Sequence, residues 1–151
     1  MKVFLGADHG GYEMKEGIKK WLIEHDYEVE DCGPFKLDSE DDYPDFVFPA
    51  AEGVAQDPTG QSFGVISCRS GAGAVIAANK VKGARAVSAF DVKSAEHARV
   101  NNNANVLGVS GDWSTLEQAE KMVEAFLNTP FTGEARHQRR IDKITQYEQG
   151  K

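Results

Sequence analysis

Short apolar runs alternate with helix-spaced apolar positions along the whole chain. Lys2 to Ala7 (KVFLGA) is a compact apolar run ending at Asp8-His9-Gly10-Gly11, which predicts a strand and then a turn. Met14, Ile18, Trp21 and Leu22 recur at helical spacing, so residues 11–25 are expected to form an amphipathic helix. Tyr27 to Cys32 alternates as a second strand, closed by Gly33-Pro34, and the acidic stretch 35–42 reads as a loop. Tyr43-Pro44 opens a helix to about Ala55, and Pro49 is expected to weaken or bend its middle. Phe63 to Cys68 (FGVISC) is a buried strand, Arg69 to Gly73 a tight turn, and Ala72 to Lys80 a small-residue helix. A strand over Ala84–Phe90, a helix over 93–101 and a fifth strand over Asn105–Ser110 follow. A long helix then spans Ser114 to Leu127, with Ser114 as its expected N-cap. Pro130 to Gly133 interrupts the chain before a last helix at about 135–148.

Strands alternating with helices imply βαβ units and a parallel sheet covered on both faces, an α/β architecture. The 151 residues suit one domain, 1–151, without repeats or low-complexity stretches. The last helix, set off by NTPFTGE, carries a modest stripe of Ile141, Ile144 and Tyr147. That stripe is available to its own domain or to a partner subunit.

Charge narrows the partners. Seventeen Lys and Arg against 24 Asp and Glu give a net charge of −7, which disfavours nucleic acid or an anionic membrane as the main partner. Two cysteines cannot build a disulfide framework, and no stretch has the length or apolarity of a membrane span. The first residues lack the pattern of a signal peptide, so a cytoplasmic protein with free thiols is expected. No grouping of His, Cys and carboxylates has zinc-ligand spacing, and no metal is expected.

In open α/β sheets ligands sit beyond the carboxyl ends of the strands. That rule selects Asp8–Gly11, Cys68–Gly73, Phe90-Asp91 and Ser110–Asp112. The segment SCRSGAGAVIAANK puts a thiol, Cys68, at a strand end before a glycine-rich turn and a helix start. Gly71 and Gly73 allow close backbone approach, while the amides and helix dipole favour a thiolate and developing negative charge. The bland alternative is an inert buried Cys beside a flexible turn. The turn is neither a P-loop nor a dinucleotide fingerprint. Asp8 and His9 offer a carboxylate and a titratable imidazole, although Asp8 also suits a cap on the following helix. Arg136 and Arg140, four apart in ARHQRR, share a helical face and can converge on one phosphate near the helix start. Asn101, Asn102, Asn103 and Asn105 can bond sugar hydroxyls or tie a left-handed helix end.

Five segments occur in order: GADHGGYEMKEGIKKWL, Asp42-Tyr43-Pro44, SCRSGAGAVIAANKVKGARAV, SAEHARVNNNANVLG and ARHQRRID. Together they resemble the ribose-5-phosphate isomerase B family, whose superfamily includes galactose-6-phosphate isomerase subunits. The resemblance covers nearly the whole chain. It implies a Rossmann-like three-layer sandwich and a metal-independent, cofactor-free aldose–ketose isomerase of sugar phosphates. It further implies a homodimer or homotetramer with active sites shared between subunits. Cys68 is then the base moving a proton between C1 and C2 through a cis-enediolate, with the amides of Arg69, Ser70, Gly71, Ala72 and Gly73 holding the oxyanion. Asp8, His9, Tyr43 and Asn102 contact the substrate, and Arg136 and Arg140 arrive from the partner to grip the phosphate.

Three positions depart from the family pattern. Asn101 stands where a ring-opening histidine is usual, with His97 four residues earlier. Arg69 replaces a glycine after the base, and Asp112 stands where an arginine often assists the phosphate, a repulsive placement unless it turns away. Ribose 5-phosphate is the first expected substrate. A tetrose 4-phosphate, a hexose 6-phosphate and a non-catalytic sugar-phosphate binder are the alternatives.

Overall fold

The computed structural model describes residues 1–150. The elements in order are β1 (Lys2–Ala7), α1 (Tyr12–Glu24), β2 (Glu28–Asp31), α2 (Pro44–Ala55), β3 (Phe63–Cys68) and α3 (Ala72–Ala78). They continue with β4 (Ala86–Ser88), α4 (Val92–Asn102), β5 (Val106–Ser110), α5 (Leu116–Asn128) and α6 (Ala135–Glu148). All strand pairs are parallel, in the order β2-β1-β3-β5-β4.

Two apolar clusters flank the sheet. One joins Met14, Ile18 and Leu22 of α1, Ala95 and Ala98 of α4, and Met122, Val123 and Phe126 of α5. The other joins Val47, Ala50 and Val54 of α2 to Ala74, Ala77 and Ala78 of α3. Each of the large side chains that is fully removed from water contributes about 1.5–3 kcal/mol. The result is the expected three-layer sandwich.

Three local expectations change. The N-cap of α5 is Thr115 rather than Ser114, because Thr115 and Gln118 exchange side-chain and backbone bonds in a capping box. Regular pairing in β4 covers only Ala86–Ser88, short of the run to Phe90, because Asp91 and Ser94 already close the capping box of α4. Pro49 does not break α2, whose four-residue buried stripe of Val47, Ala50, Ala51 and Val54 holds it against the sheet.

The winding positions the site. The chain leaves β1 toward β2 on one side and leaves β3 toward β4 on the other. The adjacent carboxyl ends of β1 and β3 therefore form the switch point where a crevice opens. Register aligns Ala7 with Ser67 and Cys68 with Ser110, so the turns after β1, β3 and β5 stand side by side.

Candidate active site

Asp8 follows β1 and is buried; its Oδ1 accepts the N–H groups of Gly10 and Gly11 at 2.9 and 3.1 Å. The carboxylate thus shapes the turn entering α1 but does not cap the helix, whose N-cap is Gly11 without a side-chain bond. His9 is half-buried, and Asp41 Oδ1 accepts both its backbone N–H and an Nδ1 contact, each at 2.8 Å. The neighbouring charge of Asp41 and of Asp8 raises the His9 pKa above its ordinary value, against opposition from desolvation and Arg69; the Asp41 hydrogen bond is the leading cause.

Cys68 is buried at the end of β3, and the Gly71 N–H donates to its Sγ at 3.2 Å. That bond aims the sulfur into the glycine turn. Gly71 has φ +82° as the residue preceding α3, a conformation L side chains rarely adopt. Ser70 Oγ accepts the Ala72 N–H at 3.2 Å. First-turn amides of a helix have no carbonyl one turn back, so with the Ala72 N–H taken by Ser70, Gly73 is the first-turn amide that presents a donor beside the thiol. Tyr43 packs on the cluster containing Cys68, and its ring lies against Gly73, where an added Cβ would meet Tyr43 Cζ at 2.8 Å.

The strand ends are tied together. Gly111 N–H donates to Cys68 O at 2.9 Å, Asp112 N–H to Arg69 O at 3.0 Å, and the Ser110 hydroxyl to Arg69 O at 2.6 Å. Arg69 crosses to Asp112 (3.6 Å), so two of the three departures from the family pattern face one another as an exposed ion pair. A pocket of about 320 Å³ opens here, lined by His9, Gly10, Glu13, Met14, Leu37, Ser39, Arg69, Gly111 and Asp112.

The remaining candidates lie elsewhere. Asn103 forms the left-handed end of α4 (φ 46°), and Asn105 bonds Arg85 N–H and Gly83 O, so these two amides are structural. Asn101 and Asn102 instead line a pocket of about 650 Å³ with His97, His137, Arg140 and Arg85. Arg136 bonds Glu134 at 2.9 Å, while Arg140 faces this pocket. The pocket lies where α4 ends and β5 begins, opposite the end bearing Cys68. Six residues of β3 span roughly 20 Å at 3.3 Å per residue. Within one chain the thiol cluster and the Asn101–Arg140 cluster do not meet.

Two residues escaped the sequence reading. Asp41 lay in an acidic stretch with no pattern to say which carboxylate folds back 32 positions onto His9. His137 is buried with Nε2 lacking a hydrogen bond, a consequence of how α6 packs.

The family model described as Ribose/Galactose Isomerase matches residues 3–144. The chain belongs to the ribose/galactose isomerase family. Among its relatives in this family is ribose-5-phosphate isomerase B of Mycobacterium tuberculosis, 45% identical over 98% of this chain and 90% of that protein. The structure of ribose-5-phosphate isomerase B from Mycoplasma genitalium with bound ribulose-5-phosphate superposes with a TM-score of 0.94. It is 41% identical and covers 99% of this chain and 97% of that one. The Trypanosoma cruzi type B enzyme gives 0.92, with 38% identity across the full length of both chains.

Proposed function

We propose that this protein interconverts ribose 5-phosphate and ribulose 5-phosphate, with Cys68 as the base. The observation that carries the proposal is the thiol aimed into a turn of amide donors at the switch point. In the open-chain aldose, Cys68 Sγ removes the C2 proton. The C2–H electron pair forms the C1–C2 double bond and the carbonyl pair moves onto O1, giving a cis-enediolate. The proton returns to C1 and the O2 hydroxyl proton moves to O1, leaving a ketone at C2. Amides of residues 69–73 stabilise the oxyanion, and Asp8, His9 and Tyr43 orient the sugar.

Arg140, Arg136, Asn101 and Asn102 complete the site from a second subunit. Their separation from Cys68 within one chain supports a shared site in a homodimer or a larger homo-oligomer. Phosphate gripped by those arginines anchors the substrate away from the reacting carbons.

Asn101 favours a second reading. An amide cannot relay the proton needed to open a furanose, whereas a tetrose 4-phosphate has its terminal oxygen blocked and needs no such step. Turnover of ribose 5-phosphate and erythrose 4-phosphate, each followed with solvent-deuterium incorporation, separates the readings. A large pentose preference is expected, and Cys68→Ala lowers exchange by about 10²–10⁴-fold. Preference for the tetrose would replace the substrate, and undiminished exchange in Cys68→Ala would remove the mechanism.

A further inference from the structure

His9 is held in a way that a loop clip alone does not require. Asp41 reaches it from the loop between β2 and α2, 32 residues away, and a single oxygen, Oδ1, meets both the backbone N–H and Nδ1 at 2.8 Å. The other oxygen, Oδ2, is buried without a hydrogen-bond partner. Asp57 shows the contrast: its carboxylate ties a surface loop by accepting from Thr59, Gln61 and Ser62, all backbone or hydroxyl donors. A desolvated carboxylate with an orphaned oxygen calls for a cationic partner, and the imidazole on its other oxygen is positioned to be one. With Nδ1 engaged, Nε2 is the ring nitrogen left for a ligand.

We propose that Asp41 is a positioning residue of the isomerase site, holding His9 so that Nε2–H is presented to an oxygen of the bound sugar phosphate. The inference rests on the isomerase reading above and assigns a role to a residue outside its catalytic set. The pocket beside His9 is walled by Leu37 and Ser39 of the same loop, so Asp41 also fixes the pocket's outer rim. The charges facing the imidazole come from several elements: Asp8 on its own turn, Asp41 on the β2–α2 loop, Glu13 on α1, Arg69 after β3 and Asp112 after β5. Among them Arg69 disfavours the imidazolium, and its pairing with Asp112 tempers that opposition.

A raised pKa keeps His9 protonated to higher pH, so its hold on a phosphorylated ligand is present at low pH and is lost as pH rises through that pKa. Imidazole titration by carbon–proton NMR tests this in the resting protein, with His9→Gln identifying the His9 signal among four histidines. The wild-type midpoint is expected above 6.5, moving down in Asp41→Asn. Asp41→Asn also raises KM for ribose 5-phosphate about tenfold at pH 7, with a smaller change in kcat. Its KM rises at a lower pH than in the wild type, and Asp41→Glu restores part of the loss. In a His9→Gln background, Asp41→Asn adds nothing further to KM.

A wild-type His9 midpoint below 6.5, or one unmoved by Asp41→Asn, overturns the proposal. Equal KM losses in the His9 and His9→Gln backgrounds do the same, since they mark Asp41 as a structural clip. Absence of any turnover of ribose 5-phosphate would sink the substrate assignment and leave the His9 midpoint to decide the role of Asp41.

Discussion

At the scale of single residues, two thiols with different surroundings make the chemistry testable. Cys68 receives the Gly71 N–H, whereas Cys32 sits beside Glu30 and Asp31 on the sheet edge. Burial first, then those carboxylates, push the Cys32 thiol up to about 11. At pH 8 only about one Cys32 in a thousand is then ionised, which leaves it a poor nucleophile. Iodoacetamide inactivation is therefore expected to track the peptide bearing Cys68 in mass spectra, and sugar phosphate is expected to slow it. Loss of activity that follows modification of Cys32 would contradict the assignment.

Elements owe their placement to polar contacts as well as to apolar stripes. Lys15 of α1 is almost fully buried and bonds both Asp31 oxygens, at 2.8 and 2.9 Å, and Glu16 at 2.8 Å; Lys19 adds a second contact to Asp31. This network pins α1 to the end of β2. Asp31→Asn strands the Lys15 charge with Glu16 alone, and breaking such a buried pair costs about 3 kcal/mol. Burial works against the Asp31 carboxylate, yet Lys15, Lys19 and the Gly33 N–H outweigh it and hold its pKa below the ordinary value. The stabilisation is therefore present above the unfolded-state pKa and is lost as pH falls through the folded one. Urea unfolding is expected to show a gap between wild type and Asp31→Asn that is wide at pH 7 and narrows toward pH 3. A gap independent of pH would assign the effect to packing.

For the whole molecule, the question is how two clusters at opposite ends of one sheet serve one reaction. Under the proposed shared site, symmetric pairing of subunits would bring the Cys68 end of one chain to the Arg140 end of another. Cys68→Ala and Arg140→Ala are each expected to be nearly inactive alone. Random reassociation of an equal mixture makes half the dimers mixed, each with one intact site, and should restore about a quarter of wild-type activity. No recovery after verified subunit exchange would argue that each chain works alone. The exposed Phe90, Trp113, Ile144 and Tyr147 give such an assembly apolar surface to cover.

Much was legible in the chain before its fold. Short apolar runs marked the central strands, which a sheet covered on both faces buries on both sides, alternation marked the edge strand β2, and apolar or small residues at helical spacing marked the helices. Cys68, Asp8 and His9 were found by their place at strand ends, a consequence of winding alone. Boundaries were less certain where capping competes with pattern, as at Thr115 and at the end of β4. Tertiary structure alone chose Asp41 from an acidic stretch to meet His9, divided four asparagines into two structural and two pocket-lining, and set Arg69 against Asp112. It also put Arg140 far from the thiol it is proposed to serve. These outcomes depend on contacts between residues distant along the chain, which no local periodicity encodes.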